Sequence, residues 1–222
     1  MNNQLDILYE DKSIIVINKP AGLATQSANV SIKDSVSLIK EHLKINNPEL
    51  KGEPYVGVVH RLDQPVSGIL VFAKNQKAAA SLSKQVQSDF MNKQYIAIIE
   101  GKLEADNNEK CCLRNLMYKD SKESKAVIVN KKEDAPKGVK VVEGILEYTI
   151  VEHREAEDET VLSIKLITGR FHQIRAQLSN MGHPIIGDRK YGSLRQYKGI
   201  ALSAVKLEFI HPDSGEKKIF CI

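Results

Sequence analysis

The sequence predicts an α+β fold, built on a mixed, mainly antiparallel central β-sheet with flanking helices. Short apolar runs of strand-like composition outnumber the segments with helical spacing, and neighbouring runs are joined more often as hairpins than through a crossover helix. With 222 residues, of which 42% are hydrophobic and 27% charged, the chain has the composition of a globular protein. The sequence offers no linker rich in Gly, Ser or Pro, so we expect a single domain over residues 1–222.

The first third of the chain predicts three strands and two helices. Ser13–Ile17 is a β-branched run that enters a tight loop at Lys19-Pro20, and strands at Tyr55–His60 and Gly68–Ala73 flank a polar turn. An amphipathic helix is predicted from Ser31 to about Ile45 by apolar residues at Ile32, Val36, Ile39 and Leu43. Asn75 predicts the N-cap of a second helix, whose apolar face consists of Ala79, Leu82, Val86 and Phe90.

The rest of the chain predicts mainly strands. Tyr95–Ile99 is a central strand, the segment 102–140 is polar and mostly short-stranded, and Val141–Val151 with Thr160–Ile167 forms a hairpin with a solvated acidic tip. A third helix begins at Thr168-Gly169 and ends before Gly182, with an apolar side at Phe171, Ile174 and Leu178. The last strands are predicted at Gly199–Ile210 and Lys217–Cys221.

Several classes of protein are excluded by the sequence. The three cysteines, Cys111, Cys112 and Cys221, lack the spacing of a disulfide framework or a zinc site, so no metal and no cofactor are predicted. The N-terminus lacks the basic and apolar regions of a signal peptide, and no apolar run approaches the ~20 residues that cross a bilayer. We therefore expect a cytoplasmic protein without a membrane partner, and a monomer as the simplest state.

Positive charge is concentrated in one segment. The formal net charge of the chain is +4, whereas residues 165–198 contain seven Lys or Arg residues and one acid, Asp188. Such a segment suits a polyphosphate partner, because Lys and Arg neutralise phosphates and Arg matches their geometry. A solvated helix face is the alternative interpretation.

Two positions are candidates for chemistry. Asp63, at a turn between buried strands, has the placement of an acid, a base or a nucleophile, although these residues alone favour an Asx-turn, since Asp before X-Pro is a common turn. Arg170 is expected in the first turn of a helix, where its charge opposes the helix dipole. A carboxylate across a cleft, for which Asp63 is suitable, or a direct phosphate contact would account for it.

Four ordered motifs identify a resemblance that covers nearly the whole chain. They are Asn18-Lys19-Pro20-Ala21-Gly22, His60-Arg61-Leu62-Asp63 with Ser67-Gly68, Gly169-Arg170-Phe171-His172-Gln173-Ile174-Arg175, and His183-Pro184-Ile185-Ile186-Gly187-Asp188 with Tyr191-Gly192. Together they resemble the RluA family of RNA pseudouridine synthases. The resemblance implies the catalytic-domain fold of these isomerases and a reaction on uridines of ribosomal or transfer RNA, without cofactor.

The resemblance also implies roles for individual residues. Asp63 is the expected catalytic nucleophile, Tyr95 packs on the flipped base, Arg170 pairs with the aspartate, and Arg61 enters the RNA stack that the uridine leaves. Lys19 and Pro20 match a motif of structural support. The expected RNA-binding residues are Arg61, His60, Arg175, Arg189 and Lys190, and DNA is not an expected partner.

This sequence differs from the usual pattern of the family in three respects. Gln64, Pro65 and Val66 follow the aspartate, Phe171 stands where relatives often have Thr, and the first motif begins too early for an N-terminal S4-like module. RNA contacts are therefore expected from the catalytic domain itself. The alternative function is a non-catalytic RNA-binding protein that keeps the fold; a glycoside-type hydrolase is disfavoured because no second carboxylate stands in a comparable motif.

Overall fold

The computed structural model describes residues 5–29, 31–88, 90–104 and 109–222. These residues form two compact units, one consisting of Met1–Lys93 with Ala204–Ile222 and the other of Gln94–Ser203. The expectation of a single domain stays a prediction. The N-terminal residues 1–4, on which the prediction about a signal peptide partly depends, and residues 105–108 of the polar segment lie outside the described residues.

Strands outnumber helices, as the sequence predicts. The strands are β1 (Asp6–Glu10), β2 (Ile14–Lys19), β3 (Gly57–Val58), β4 (Ser67–Ala73), β5 (Asn92–Glu100), β6 (Cys111–Asp120), β7 (Lys125–Val129), β8 (Val142–Arg154), β9 (Glu159–Leu166), β10 (Leu202–Ile210) and β11 (Lys217–Cys221). The helices are α1 (Ser35–Asn46), α2 (Gln76–Gln87) and α3 (Gln173–Asn180). None of the described helices has the length and apolar character needed to cross a membrane.

The first unit is organised around two buried strands. Its strands neighbour one another in the order β1, β2, β4 and β10, with β3 on β4 and β11 on β10. β2 and β4 run antiparallel from the pair Ile14 and Ala73 to the pair Lys19 and Gly68. Both strands are almost entirely buried, which explains why their sequences are continuously apolar rather than alternating. Ala78 and Leu82 of α2 pack against this core.

The second unit contains a five-stranded antiparallel arrangement and helix α3. Its strands neighbour one another in the order β5, β9, β8, β6 and β7. Along β5, Tyr95, Ala97 and Ile99 are buried on one face, as the period of two in a half-buried strand requires. Helix α3 packs near β7, where Met117, Ala126, Ala176 and Tyr191 form a small core.

The predicted helix ends are partly confirmed. The side chain of Asn75 caps α2 by accepting a hydrogen bond from the Ala78 backbone at 2.8 Å, and Gly182 follows α3 with a φ of +88°. The apolar face of α2 was predicted one turn too long. The helix ends at Gln87, and Phe90, beyond it, is 68% exposed. Similarly, α1 begins only after the capping residue Asp34, and Ile32 is exposed.

Helix α3 begins later than the sequence predicts, and this difference changes the environment of Arg170. His172 adopts the left-handed conformation at a φ of +51°, so the chain cannot continue as a helix from residue 169 and α3 begins at Gln173. Arg170 therefore lies outside the first helical turn, and the expected conflict of its charge with the helix dipole does not arise. This prediction was wrong because spacing alone cannot locate a left-handed residue.

Three strand predictions also need correction. The predicted strand Tyr55–His60 is reduced to the two residues of β3, because only Gly57 and Val58 pair with β4. The polar N-terminal segment contains β1, and the segment expected to be short-stranded contains the ten-residue β6. Both β1 and β6 mix polar with apolar residues and lack the continuous apolar run on which such predictions depend.

Candidate active site

Asp63 lies in a loop that backbone contacts hold on both sides. The neighbouring residue, Leu62, is buried, and its peptide groups contact one side chain: Thr25 Oγ1 accepts from the Leu62 N–H at 3.2 Å and donates to the Leu62 carbonyl at 2.8 Å. On the other side, the Val66 N–H donates to the Asp63 carbonyl at 3.0 Å and closes the turn. The half-buried Asp63 is thus fixed by its backbone, which is the rigid placement a reacting carboxylate needs.

The loop of the first motif holds the residue that follows Asp63. The Gly22 N–H donates to the Gln64 carbonyl at 2.8 Å, and the Gln64 Nε2 atom donates to the Gly22 carbonyl at 3.0 Å. Two bonds in opposite directions therefore join the loops of residues 19–25 and 60–66. In this sequence Gln64, one of the departures from the family pattern, contributes a side-chain contact of its own to the loop of the aspartate.

Lys19 is a wholly buried cation beside this loop. Its ammonium group donates to the carbonyls of Pro20 at 2.9 Å, Leu23 at 2.7 Å and Gln64 at 3.3 Å. Burial lowers the pKa of Lys19 to about 8, and the negative charge of Asp63 partly opposes this effect. The lysine therefore supports the loop, as the motif implies, and its positive charge interacts with the negative charge of Asp63.

Gly68 ends the loop at a position that excludes every other residue. Its φ is +122°, and a Cβ atom there would lie 2.3 Å from the carbonyl oxygen and 2.5 Å from the nitrogen of Ala204. Backbone atoms cannot yield in the way that a flexible side chain can. Close packing thus explains the glycine of the Ser-Gly pair in the second motif. The chain that leaves Asp63 enters β4 in close contact with the backbone of the neighbouring strand β10.

The two other predicted residues of this loop differ in character. Arg61 is exposed, which agrees with a residue that would reach RNA. His60 accepts a hydrogen bond at Nε2 from the Val71 N–H at 3.2 Å. Burial, with a smaller effect from the charge of Lys93, lowers the pKa of this partly buried imidazole to about 3. A contact of His60 with RNA stays a prediction, and the ring would make it in its neutral form.

In the second unit, Tyr95 and Arg170 are fixed by different means. Tyr95 is buried in β5, opposite Ile164 of β9. Arg170 is exposed, and its Nε atom donates to the Glu143 carbonyl at 2.9 Å. The Arg170 N–H donates to the Gln173 side chain at 3.0 Å, so both the backbone and the guanidinium of this arginine have defined partners.

The third and fourth motifs are joined by a buried ion pair. Arg175 binds Asp188 through two hydrogen bonds, from Nε to Oδ2 at 2.6 Å and from Nη2 to Oδ1 at 2.8 Å. Arg175 is 5% exposed and Asp188 is 1% exposed. The charge of Arg175 is thus compensated inside the protein by the acid that stands alone in the basic segment, and the expected contact of Arg175 with RNA stays a prediction.

A second contact between the same motifs involves aromatic residues. The Tyr191 hydroxyl accepts from the Ala126 N–H at 2.7 Å and lies 2.9 Å from His172 Nδ1. The ring of Tyr191 also faces the guanidinium of Arg175, 5.0 Å from its centroid. Phe171 stacks on His172 with ring centroids 3.8 Å apart. The aromatic residues thus hold the left-handed turn that precedes α3.

The remaining predicted RNA-binding residues lie at the surface of the second unit. Arg189 and Lys190 are exposed, and the Lys190 ammonium donates to the carbonyls of Glu123 and Ser124 at 3.1 Å each. Arg195, another member of the basic segment, donates to the carbonyls of Glu157 and Asp158 in the acidic hairpin tip. That tip, expected to be solvated only, therefore has a cationic partner.

Sequence reasoning missed Thr25, Gln173 and Tyr191 as members of these networks. Thr25 lies 37 residues from its partner and belongs to none of the motifs, so no local signal could have identified it. Gln173 and Tyr191 stand inside the quoted motifs, so their membership of a motif is the signal that could have identified them.

Comparisons with known proteins point to one family. A family profile described as RNA pseudouridylate synthase matches residues 13–180, which include the Asp63 loop and the turn at Arg170. An uncharacterized RNA pseudouridine synthase of Bacillus subtilis is 34% identical, and the alignment covers 96% of this chain and 66% of the relative. The ribosomal large subunit pseudouridine synthase D of Xylella fastidiosa is 33% identical, with 94% and 62% covered.

The fold is similar to that of solved structures. Human RNA pseudouridylate synthase domain containing 1 superposes with a TM-score of 0.76 at 23% identity, over 99% of this chain and 83% of the human one. Human RNA pseudouridylate synthase domain containing 4 gives a TM-score of 0.74 at 20% identity. These similarities confirm the predicted α+β class. The chain spans slightly less than two thirds of the length of the two bacterial relatives.

Proposed function

Because the chain belongs to the RNA pseudouridylate synthase family, we propose that it is an isomerase that converts specific uridines of large-subunit ribosomal RNA to pseudouridine. The name of the Xylella fastidiosa relative supports this class of RNA. The matched residues 13–180 include the first three of the four motifs, and the fourth lies beyond them. Transfer RNA, which the sequence alone leaves equally open, is the second substrate to be assayed.

The proposed reaction needs no oxidant, reductant or leaving group from outside. The bond between uracil N1 and ribose C1′ breaks, the base rotates, and a bond forms between C5 and C1′. C5 loses a proton and N1 gains one, so substrate and product are isomers. The protein must therefore extrude the base, hold it during rotation and move protons, and positioned side chains suffice for these tasks.

Asp63 is the proposed nucleophile, and the rigidity of its loop carries this assignment. Leu62, Gln64 and Gly68 fix the backbone on both sides of the carboxylate, so the group meets the substrate without a further loss of conformational freedom. Lys19 and Asp63 also interact through their opposite charges, which places a cation beside the proposed nucleophile.

Three further roles follow from the resemblance and belong to the proposal. The exposed Arg61 would fill the stack vacated by the flipped uridine and offset part of the few kcal/mol that flipping costs. Tyr95 would pack on the flipped base, and Arg170 would pair with Asp63. Arg189 and Lys190 would bind phosphates.

The experiment is the replacement Asp63→Asn, which keeps the size of the side chain and removes its charge. Purified wild type and variant are incubated with unmodified ribosomal and transfer RNA, and pseudouridine is quantified by nucleoside mass spectrometry. We expect no pseudouridine from the variant. Asp134→Asn is the matched control: it makes the same chemical change at an exposed turn and should leave the yield unchanged.

The rival function, a non-catalytic RNA-binding protein, predicts a different result. It requires that pseudouridine is absent from both the wild-type and the Asp63→Asn reactions, and that RNA binding is lost when Arg189, Lys190 and Arg195 are replaced. Pseudouridine formation by the wild type that disappears in Asp63→Asn would exclude this rival, and equal levels in both would exclude the proposed nucleophile.

We further propose that the protein acts in the cytoplasm as a monomer and prefers RNA to DNA. The concentrated basic segment supports a nucleic-acid partner, and a ribosomal substrate would be found in that compartment. Light scattering during size-exclusion chromatography measures the oligomeric state. Competition by DNA of the same sequence as the bound RNA measures the preference, and equal competition would contradict it.

A further inference from the structure

The buried carboxamide of Gln173 is aimed at the loop that carries Arg170. We propose that Gln173 is a positioning residue of the reaction, which sets the backbone of Arg170 and thereby the direction of its guanidinium. This inference rests on the proposed function for its catalytic consequence. Its structural content, the placement of Arg170 by Gln173, can be tested without any activity.

Two hydrogen bonds connect the carboxamide to the loop. Gln173 Oε1 accepts from the Arg170 N–H at 3.0 Å and from Thr168 Oγ1 at 2.8 Å. Thr168 Oγ1 in turn accepts from the Ile145 N–H of β8 at 2.8 Å. One side-chain oxygen therefore ties both ends of the segment 168–170 to helix α3, and Thr168 ties that segment to the sheet.

The orientation of the carboxamide follows from chemistry. The Arg170 N–H can only donate, so the atom that faces it must be the oxygen. The Gln173 Nε2 atom is then buried and has no hydrogen-bond partner among the residues the structure describes. A buried, unpaired amide group destabilises a protein. An apolar side chain at this position would avoid that cost, so stability alone does not explain the glutamine.

Strand β8 is shaped to accommodate Gln173. A Cβ atom on Gly144 would lie 3.3 Å from both Cγ and Cδ of Gln173 and 2.7 Å from Met117 Sδ. The preceding residue, Glu143, provides the carbonyl that accepts from Arg170 Nε at 2.9 Å. Gly144 thus leaves room for Gln173, and the adjacent Glu143 holds the Arg170 guanidinium. A short stretch of the β8 backbone therefore couples the side chains of Gln173 and Arg170.

Gln177, one turn further along α3, provides a matched control. Its side chain is fully buried, its Nε2 atom donates to Asn115 Oδ1 at 2.8 Å, and its Oε1 atom has no partner in the described part of the chain. Gln173 and Gln177 therefore share residue type, helix and burial. Among the described residues, Gln173 contacts the segment that carries Arg170, whereas Gln177 contacts Leu113, Asn115 and Gly144.

The first test measures the structure of the loop without substrate. Amide hydrogen exchange at Arg170 is followed by NMR in the wild type, Gln173→Met, Gln173→Glu and Gln177→Met. Met has a similar shape without an acceptor, whereas Glu keeps an oxygen in place. We expect at least tenfold faster exchange at Arg170 in Gln173→Met, restoration in Gln173→Glu, and no change in Gln177→Met. Unchanged exchange in Gln173→Met would overturn the proposal.

The second test asks whether Gln173 acts through Arg170. Single-turnover pseudouridine formation is measured with ribosomal RNA for Gln173→Met, Arg170→Met and the double variant. A displaced catalytic group lowers rates by roughly ten- to hundredfold, so we expect such a loss in Gln173→Met with unchanged RNA affinity. In the double variant the rate should equal that of Arg170→Met, because there is no guanidinium left to position.

The outcomes separate this inference from the proposed function. Multiplying effects in the double variant would mean that Gln173 acts independently of Arg170 and would overturn the inference, while pseudouridine formation by the wild type still supported the function. A wild type that forms no pseudouridine would instead refute the function. The exchange measurement would then decide alone whether Gln173 positions Arg170.

Discussion

Arg175 and Asp188 form a bidentate ion pair inside the second unit, with bonds of 2.6 and 2.8 Å, and it joins helix α3 to the turn of the fourth motif. The guanidinium has five donors in a planar fork, which a carboxylate matches with two parallel bonds. Because both side chains are buried, the pair explains why an acid stands within the basic segment. The ion pair therefore joins the third and fourth motifs, although its two partners are 13 positions apart in the chain.

Breaking this pair should destabilise the protein strongly. Asp188→Ala leaves the Arg175 charge buried without its partner, and we expect a loss of about 3–5 kcal/mol in the free energy of unfolding. The measurement is urea denaturation followed by circular dichroism. The double variant Arg175→Met, Asp188→Leu removes the two charges together and should restore most of the stability. A double variant as unstable as Asp188→Ala would contradict this explanation.

The same pair predicts which arginines respond to salt in RNA binding. Arg189 is exposed, so Arg189→Ala should reduce the slope of log affinity against log salt concentration by about one. The double variant Arg175→Met, Asp188→Leu should keep the wild-type slope, because Arg175 is buried and its charge is compensated by Asp188. Filter binding at several salt concentrations provides both slopes. Equal reductions in the two variants would show that Arg175 reaches RNA after all.

Gly68 should not tolerate a methyl group. Gly68→Ala places a Cβ atom 2.3 Å from the Ala204 carbonyl oxygen at a φ of +122°, so we expect a loss of roughly 3 kcal/mol or more in the free energy of unfolding. Gly52→Ala is the control, since its φ is also positive at +94°, but a Cβ atom there would have no atom of the described residues within 4 Å apart from its chain neighbours. Its cost should be about 1 kcal/mol. Similar costs in both variants would mean that contact with Ala204 is unimportant.

Lys19 should make stability depend on alkaline pH. An ordinary lysine has a pKa of 10.5, whereas burial lowers that of Lys19 to about 8. Between these values the unfolded chain binds more protons than the folded protein, so this residue's contribution to stability rises from about pH 8 to pH 10.5. The measurement is the difference in unfolding free energy between wild type and Lys19→Met across that range. A constant difference would contradict the lowered pKa.

Activity should respond to the same titration in the opposite direction. Above about pH 8 Lys19 loses the positive charge that it places beside Asp63, so we expect the single-turnover rate of pseudouridine formation to fall as stability rises. Lys19→Met should be slower at pH 7 and should lack this fall. The control is Lys74→Met, which removes a mostly buried lysine that pairs with Glu10. Its pH profile should keep the fall in rate above about pH 8.

Much of the fold could be predicted because the signals are local. The apolar runs of β2 and β4, the cap at Asn75 and the glycine after α3 depend on neighbouring residues and appear in the sequence as such. β1 and β6 were missed or underestimated, since polar residues interrupt the apolar pattern that predicts a strand. The beginning of α3 was misplaced because the left-handed conformation of His172 depends on Phe171 and Tyr191, not on spacing.

The sequence by itself determined the class of fold, the family and the concentration of positive charge between residues 165 and 198. Only the tertiary structure decided how those charges are used: Arg175 is buried on Asp188, Arg195 binds the hairpin tip, and Arg189 is exposed. The physical reason is that charge is a property of the residue. Its availability depends on burial and on partners that folding brings from distant parts of the chain.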